Sequence, residues 1–235
     1  MKRRLPPILM TLVLVCALPI WAAFVTSGDV TNPLLTTADA TEPLKLEEVS
    51  TADDLRAKIT NGKSVKLMAD ISITSTLEIA KSLTLDLNGC VLRLRMRGNT
   101  SVFYVYNNAT LTIQDSSAAK SGTITGGNAG DGGGVYIGDN LSEGHLVMTG
   151  GTITGCATDS SRGDGRGGGV FVFKGSFTMS GTAKITNCTA FWGGGVVVHT
   201  GSSTFTMNGG EISDCKASST GGGVCLILSL IHISE

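Results

Sequence analysis

Charge is scarce in this chain: Asp, Glu, Lys and Arg make up 16% of its 235 residues, well below the roughly 25% of ordinary domains. The 18 basic and 19 acidic residues nearly cancel, which argues against a nucleic-acid binder. Aromatic residues are few, at 5%, while apolar residues reach 41%. The core must therefore come from Val, Ile, Leu and Thr, which suit strands, and long helices are not expected to dominate. Glycine is also scarce at first: two of its 32 residues precede position 89 and thirty lie from there on. The chain is not one kind of material throughout.

Met1 to Arg4 carries three positive side chains, and Leu5 to Phe24 follows without a charge. This is the charged-then-apolar order of a secretory signal, assigned to residues 1–24. Trp21-Ala22-Ala23 only loosely matches a cleavage site, so an uncleaved membrane anchor stays open as an alternative. Without the first 24 residues the chain holds 15 basic and 19 acidic residues, a net charge of −4. Residues 25–48 contain Thr, Pro33 and Pro43 and read as an extended linker. At 49–62 a short capping helix is expected. Ser50 or Thr51 is its N-cap, Asp53 and Asp54 favour its dipole, Leu55 and Ile59 share a face, and Gly62 ends it.

From residue 63 to 227 the chain repeats. Gly-Gly-Gly-Val starts at Gly132, Gly167, Gly193 and Gly221, at spacings of 35, 26 and 28 residues. Between the triplets lie Leu146-Val147-Met148-Thr149-Gly150, Phe177-Thr178-Met179-Ser180-Gly181 and Phe205-Thr206-Met207-Asn208-Gly209. Each is followed by a second motif: Ile153-Thr154-Gly155-Cys156, Ile185-Thr186-Asn187-Cys188 or Ile212-Ser213-Asp214-Cys215. Every unit thus holds three short strand-like pieces with no helical period between them, which predicts one coil of a solenoid. Leu83-Thr84-Leu85-Asp86-Leu87 and Leu111-Thr112-Ile113-Gln114 alternate in the same way with less glycine. The expected fold is all-β: a right-handed parallel β-helix of about six three-strand coils, with the helix covering the first.

The run from Ser50 through Val65-Lys66-Leu67-Met68-Ala69-Asp70-Ile71 to Leu83-Thr84-Leu85-Asp86-Leu87-Asn88-Gly89 resembles the start of parallel β-helix domains of the pectate-lyase-like superfamily. The Gly-Gly-Gly-Val and Phe-Thr-Met repeats resemble those of bacterial surface, adhesin-like proteins. The resemblance covers about residues 50 to 227. It implies the fold and a secreted or cell-surface location, and it transfers no catalytic motif. Leu228-Ser229-Leu230-Ile231-His232-Ile233-Ser234-Glu235 departs from the repeat and resembles a translated sequencing adapter, so 228–235 is read as an artefactual tail on a truncated repeat region. The alternative is a genuine apolar last strand.

Alternation after each glycine triplet turns Tyr136, Phe171, Phe173, Val197 and His199 outward. Tyr136, Phe171, Phe173 and His199 are candidate ligand-binding residues, because aromatic faces stack on sugars and mark interaction patches. The alternative is that the loops at 138–145 and 157–166 fold over them. The second loop holds Asp159, Arg162, Asp164 and Arg166, which could imitate the acidic and basic groups of polysaccharide lyases. Its Arg162-Gly163-Asp164 also resembles integrin ligands, for which chance in a Gly- and Asp-rich loop is the better explanation.

Cys156, Cys188 and Cys215 share one repeat position and should form a ladder of free thiols. Adjacent parallel strands stand ~4.8 Å apart, wider than the ~3.8 Å between the Cβ atoms of a disulfide. A line of thiols is not a tetrahedral zinc site. No catalytic residue, metal or cofactor is assigned. The expected partner is a carbohydrate or a cell-surface protein, with no nucleic acid, and with membrane contact only through the N-terminal signal or anchor. The expected function is a structural or adhesin-like binding module; the competing class is a polysaccharide lyase or glycoside hydrolase.

Overall fold

A computed structural model describes residues 45–96, 98–159, 163–199, 201 and 203–227. The expected signal (1–24), most of the linker, the tail at 228–235 and Arg162 lie outside the described residues. What is described is a parallel β-helix. A first sheet runs Glu47–Val49, Val65–Leu67, Leu83–Asp86, Ala109–Gln114, Gly144–Met148, Gly175–Met179 and Thr204–Met207. A second is stacked from Ile71–Ile73, Val91–Leu94, Thr123–Thr125, Thr152–Thr154, Lys184–Thr186 and Glu211–Ser213. The third comprises Leu77–Ile79, Phe103–Val105, Val135–Ile137, Val170–Val172, Val196–His199 and Val224–Ile227. The chain visits the three sheets in turn, so each six-stranded stack marks six rungs, or about five turns from first to last.

The pairing is parallel and in register, and it lines up like with like. Leu83, Leu111, Leu146, Phe177 and Phe205 form one inward column. Leu92, Ile124, Ile153, Ile185 and Ile212 form another. Leu77, Phe103, Val135, Val170, Val196 and Val224 form a third. Most of these side chains are fully buried, each contributing roughly 1.5–3 kcal/mol relative to exposure.

Two features depart from the expectation. Glu47 and Glu48, assigned to the linker, and Val49, assigned to the helix segment, form a strand that pairs with Val65–Leu67 and extends the first sheet. A fourth sheet, absent from the three-strand reading, joins Asn128–Ala129, Ala157–Thr158, Thr189–Trp192 and Lys216–Thr220. Its strands are short and mostly polar, so they carry no period of their own. Neighbouring coils hold them in place by backbone bonds such as Ala157 N–H to the Gly127 carbonyl and Thr189 N–H to the Cys156 carbonyl.

The helix spans Ala52–Thr60, with the Thr51 hydroxyl accepting from the Asp54 N–H and Leu55 and Ile59 buried. It packs on the strands of the first coil, and its Lys58 pairs with Glu47 at 2.5 Å. Gly62 ends it at φ +71°, where a left-handed conformation is needed. No described helix is long and apolar enough to cross a membrane.

The glycine triplets turn the chain from the fourth sheet into the third. Gly132, Gly167, Gly193 and Gly221, first in each triplet, have φ between +59° and +69°. The next two glycines lie against the following coil: a Cβ on Gly134 would stand 2.5 Å from the Gly169 carbonyl oxygen and 2.8 Å from Ile153. Close stacking therefore accounts for the triplets.

Candidate aromatic site on the third sheet

The outer face of the third sheet carries two ring-bearing columns. In one, register places Glu78, Tyr104, Tyr136, Phe171, Val197 and Cys225 side by side on successive strands. In the other, Tyr106, Phe173 and His199 stand two residues further along, with Gly138 leaving a gap between the first two. Tyr104 and Tyr106 stack at 4.7 Å. Tyr104 meets Tyr136 edge-on at 5.7 Å, and Tyr136 meets Phe171 at 5.3 Å and Phe173 at 6.3 Å. Phe173 then stacks on His199 at 5.1 Å. The rings form one continuous strip along the solenoid axis, crossing four coils.

Phe171 is a correction to the outward reading. It lies on the outer face as the alternation requires, but it is fully buried, as is Val197. Tyr136, Phe173 and His199 surround the Phe171 ring, and the Arg166 guanidinium lies 5.9 Å from its centre. Packing among outward side chains has made a second, small apolar layer outside the sheet. Tyr136, Phe173 and His199 are half-buried and keep part of their surface available.

Both loops expected near the strip reach it in part. In the first, Asp139 accepts from the Tyr104 hydroxyl and from the N–H groups of Leu141 and Ser142, tying the turn to the ring. The hydrogen bond to Tyr104 holds the Asp139 carboxyl below its ordinary range. The second loop ends in Arg166, which pairs with Asp131 at 3.4 Å and spans Phe171 and Trp192, the latter at 5.7 Å. Burial pushes the Asp131 carboxyl up although Arg166 pulls it down, and Asp164 adds to the rise. Burial also pushes the Tyr136 hydroxyl up to about 12. Asp159 and Asp164 are exposed; of the three loop candidates among the described residues, Arg166 is the one placed on the strip.

Asp131, Arg166 and Trp192 are joined by isolated parallel bridges just before successive glycine triplets, so they form a wall beside the strip. Where Arg166, Trp192 and His199 approach Thr220, Cys225, Leu226 and Ile227, a cleft of about 330 Å³ opens. The sequence reading missed Tyr104, Tyr106 and Trp192. Phe103-Tyr104-Val105-Tyr106 has the same alternation as Val135-Tyr136-Ile137, but its coil lacks the glycine triplet that would have aligned the two.

Cys156 and Cys188 are buried, Cys215 is half-buried, and all three are free. Among the described residues no three His, Cys, Asp or Glu side chains converge to hold a metal.

Compared with protein-family models, curated proteins and solved structures, the chain matches none.

Proposed function

We propose that this chain is an exported β-helix binding module, of the pectate-lyase-like and adhesin-like kind, that holds an extended glycan along its aromatic strip. One observation carries the reading: half-buried rings of Tyr104, Tyr106, Tyr136, Phe173 and His199 run in line along the axis of a rigid solenoid. Such rings present apolar faces and polar edges, the pairing that sugar rings also offer. Arg166 and Trp192 wall one side, the guanidinium lying over the Trp192 ring. A rigid scaffold adds little ordering cost to binding. The charged-then-apolar order of residues 1–24 supports export.

The competing reading, a polysaccharide lyase or glycoside hydrolase, has less behind it. The two carboxylates that act on Tyr136 are already engaged, Asp131 with Arg166 and Asp139 with Tyr104 and its own turn.

The test is retention on immobilised neutral and acidic polysaccharides by the parent and by a Tyr136→Ser, Phe173→Ser double variant of unchanged circular dichroism. Binding by the parent and at least about tenfold weaker binding by the variant are expected, the loss of two stacking contacts. Equal retention of both proteins rejects the strip as the binding surface. Cleavage of a polysaccharide into shorter products would favour the enzyme instead.

A further inference from the structure

Three Asn-Gly dipeptides occur in the chain: Asn61-Gly62, Asn88-Gly89 and Asn208-Gly209. The pair has its own chemistry. The Asn carboxamide carbon is an electrophile within reach of the next backbone nitrogen, and a glycine there has no Cβ to hinder the approach. The fold treats the three pairs differently. Asn61 is the C-cap of the helix, its carboxamide donating to the Ala57 carbonyl at 2.9 Å while the Gly62 N–H donates to that of Ile59 at 2.8 Å. Asn88 donates from its carboxamide to the Leu67 carbonyl at 2.9 Å, and the Gly89 N–H donates to Asp115 at 2.9 Å. In both pairs the electrophile and the nucleophile are tied to other partners.

Asn208-Gly209 is held in neither way. Register sets Met148, Met179 and Met207 side by side, so the turn out of the first sheet begins with Thr149-Gly150, Ser180-Gly181 and Asn208-Gly209 on successive coils. Two coils carry a hydroxyl at this place and the last described coil carries a carboxamide. Asn208 is exposed, and its backbone N–H donates to the Met179 carbonyl at 2.8 Å. Among the described residues no partner holds its carboxamide or the Gly209 N–H. The nearest atom to a Cβ built on Gly209 would be the Gly181 nitrogen, at 3.3 Å. Thr204–Met207 is the last strand of its sheet, so no described coil covers the other side of the turn.

We propose that Asn208-Gly209 is a self-modification site of the folded chain, converted through a cyclic imide to aspartyl and isoaspartyl products. The Gly209 nitrogen attacks Asn208 Cγ; a C–N bond closes the imide ring, and the carboxamide nitrogen leaves as ammonia, taking the proton that the Gly209 nitrogen gives up. Water then adds to one of the two imide carbonyls, the bond from that carbon to the Gly209 nitrogen breaks, and the nitrogen regains a proton. Nothing is oxidised or reduced. Opening at the side-chain carbonyl gives an aspartyl residue; opening at the backbone carbonyl gives an isoaspartyl residue, with an extra methylene in the main chain. Either product adds a negative charge to the turn. At Asn61 and Asn88 the same closure first requires two hydrogen bonds to break, which slows it at least about tenfold. The turn of the last described coil is therefore where this chain ages first.

The full chain is incubated for days in mildly alkaline buffer at physiological temperature, both folded and in guanidinium chloride. Samples are digested under acidic conditions, and the converted fraction of each Asn-Gly peptide is read by mass spectrometry, with fragment ions separating aspartyl from isoaspartyl products. In the folded chain position 208 should convert at least about tenfold faster than positions 61 and 88. In denaturant the three rates should come together. Asn208→Ser, which copies Ser180 of the preceding coil, should abolish conversion at 208 and leave the other two sites unchanged. A ratio below about tenfold in the folded chain, including no conversion at 208, would overturn the proposal. So would the same ratio in denaturant, since local sequence and not the fold would then select the site.

Discussion

The early and late coils solve the same problem by different chemistry. Both must reverse the chain between stacked strands without leaving buried backbone groups unpaired. In the coils before residue 122, carboxylates do much of this work. Asp86 accepts from the N–H groups of Asn88 and Ser116, and Asp115 from those of Gly89, Ser117 and Gly122. Both carboxylates are nearly fully buried. In the coils after residue 131, glycine replaces side-chain acceptors and brings backbone directly onto backbone: Gly133, Gly168 and Gly194 donate to Gly167, Gly193 and Gly221. A turn held by an acceptor depends on ionisation, whereas one held by close approach depends on volume.

That contrast can be broken first at Gly133. An added Cβ would press on the carbonyls of Ala157 and Gly168, so Gly133→Ala should cost about 3 kcal/mol, in the overpacking range, measured by urea denaturation. A loss under about 0.5 kcal/mol, the scale of an ordinary surface change, would show that the late coils do not rely on close approach.

Asp115→Ala tests the early coils. Removing the acceptor leaves three N–H groups without it, at a cost of about 2 kcal/mol for unpaired buried donors. Acid should have a related effect. Burial acts to raise the Asp115 pKa, but hydrogen bonds from Ser117, Gly122 and Gly89 outweigh it and the net shift is downward. The stabilisation is therefore complete above the unfolded value of ~3.9 and is lost as pH falls through the lower folded value. Denaturation midpoints of the parent should drop across that window, while those of Asp115→Asn should drop less.

Asn187 sharpens the comparison within the late coils. It sits at φ +53°, opposite Gly155 at +59° and Asp214 at +54°. Asn187→Ala should cost about 1 kcal/mol for a left-handed residue without a local hydrogen-bonding side chain, and Asn187→Gly should cost less. Equal losses in thermal melts would mean that the Asn side chain, not the backbone conformation, matters there. The smallest effect is expected outside both regions: Thr51→Ala removes the N-cap acceptor of the helix, worth about 1 kcal/mol or less at an exposed end.

Much of this architecture could be read from the chain. Alternation in Leu83-Thr84-Leu85 and Leu111-Thr112-Ile113 defines inner and outer faces, because side chains on a strand change sides at every residue. The repeat spacing predicts the stacking, and Thr51, Leu55, Ile59 and Gly62 delimit the helix. The fourth sheet was not legible, since Ala157–Thr158 and Lys216–Thr220 owe their extended form to the coils beside them. Nor was the fate of Phe171. Alternation says only that it leaves the core; its burial depends on Arg166, Tyr136 and His199, brought together from three other strands or turns.

The sequence by itself determined the parallel β-helix and which side chains face its interior, because strand period and glycine geometry are local properties. Tertiary structure decided which outward rings meet and that Arg166 lies between Phe171 and Trp192. Those arrangements depend on the register between coils about 30 residues apart, and that register is set by the whole stack, not by any one segment.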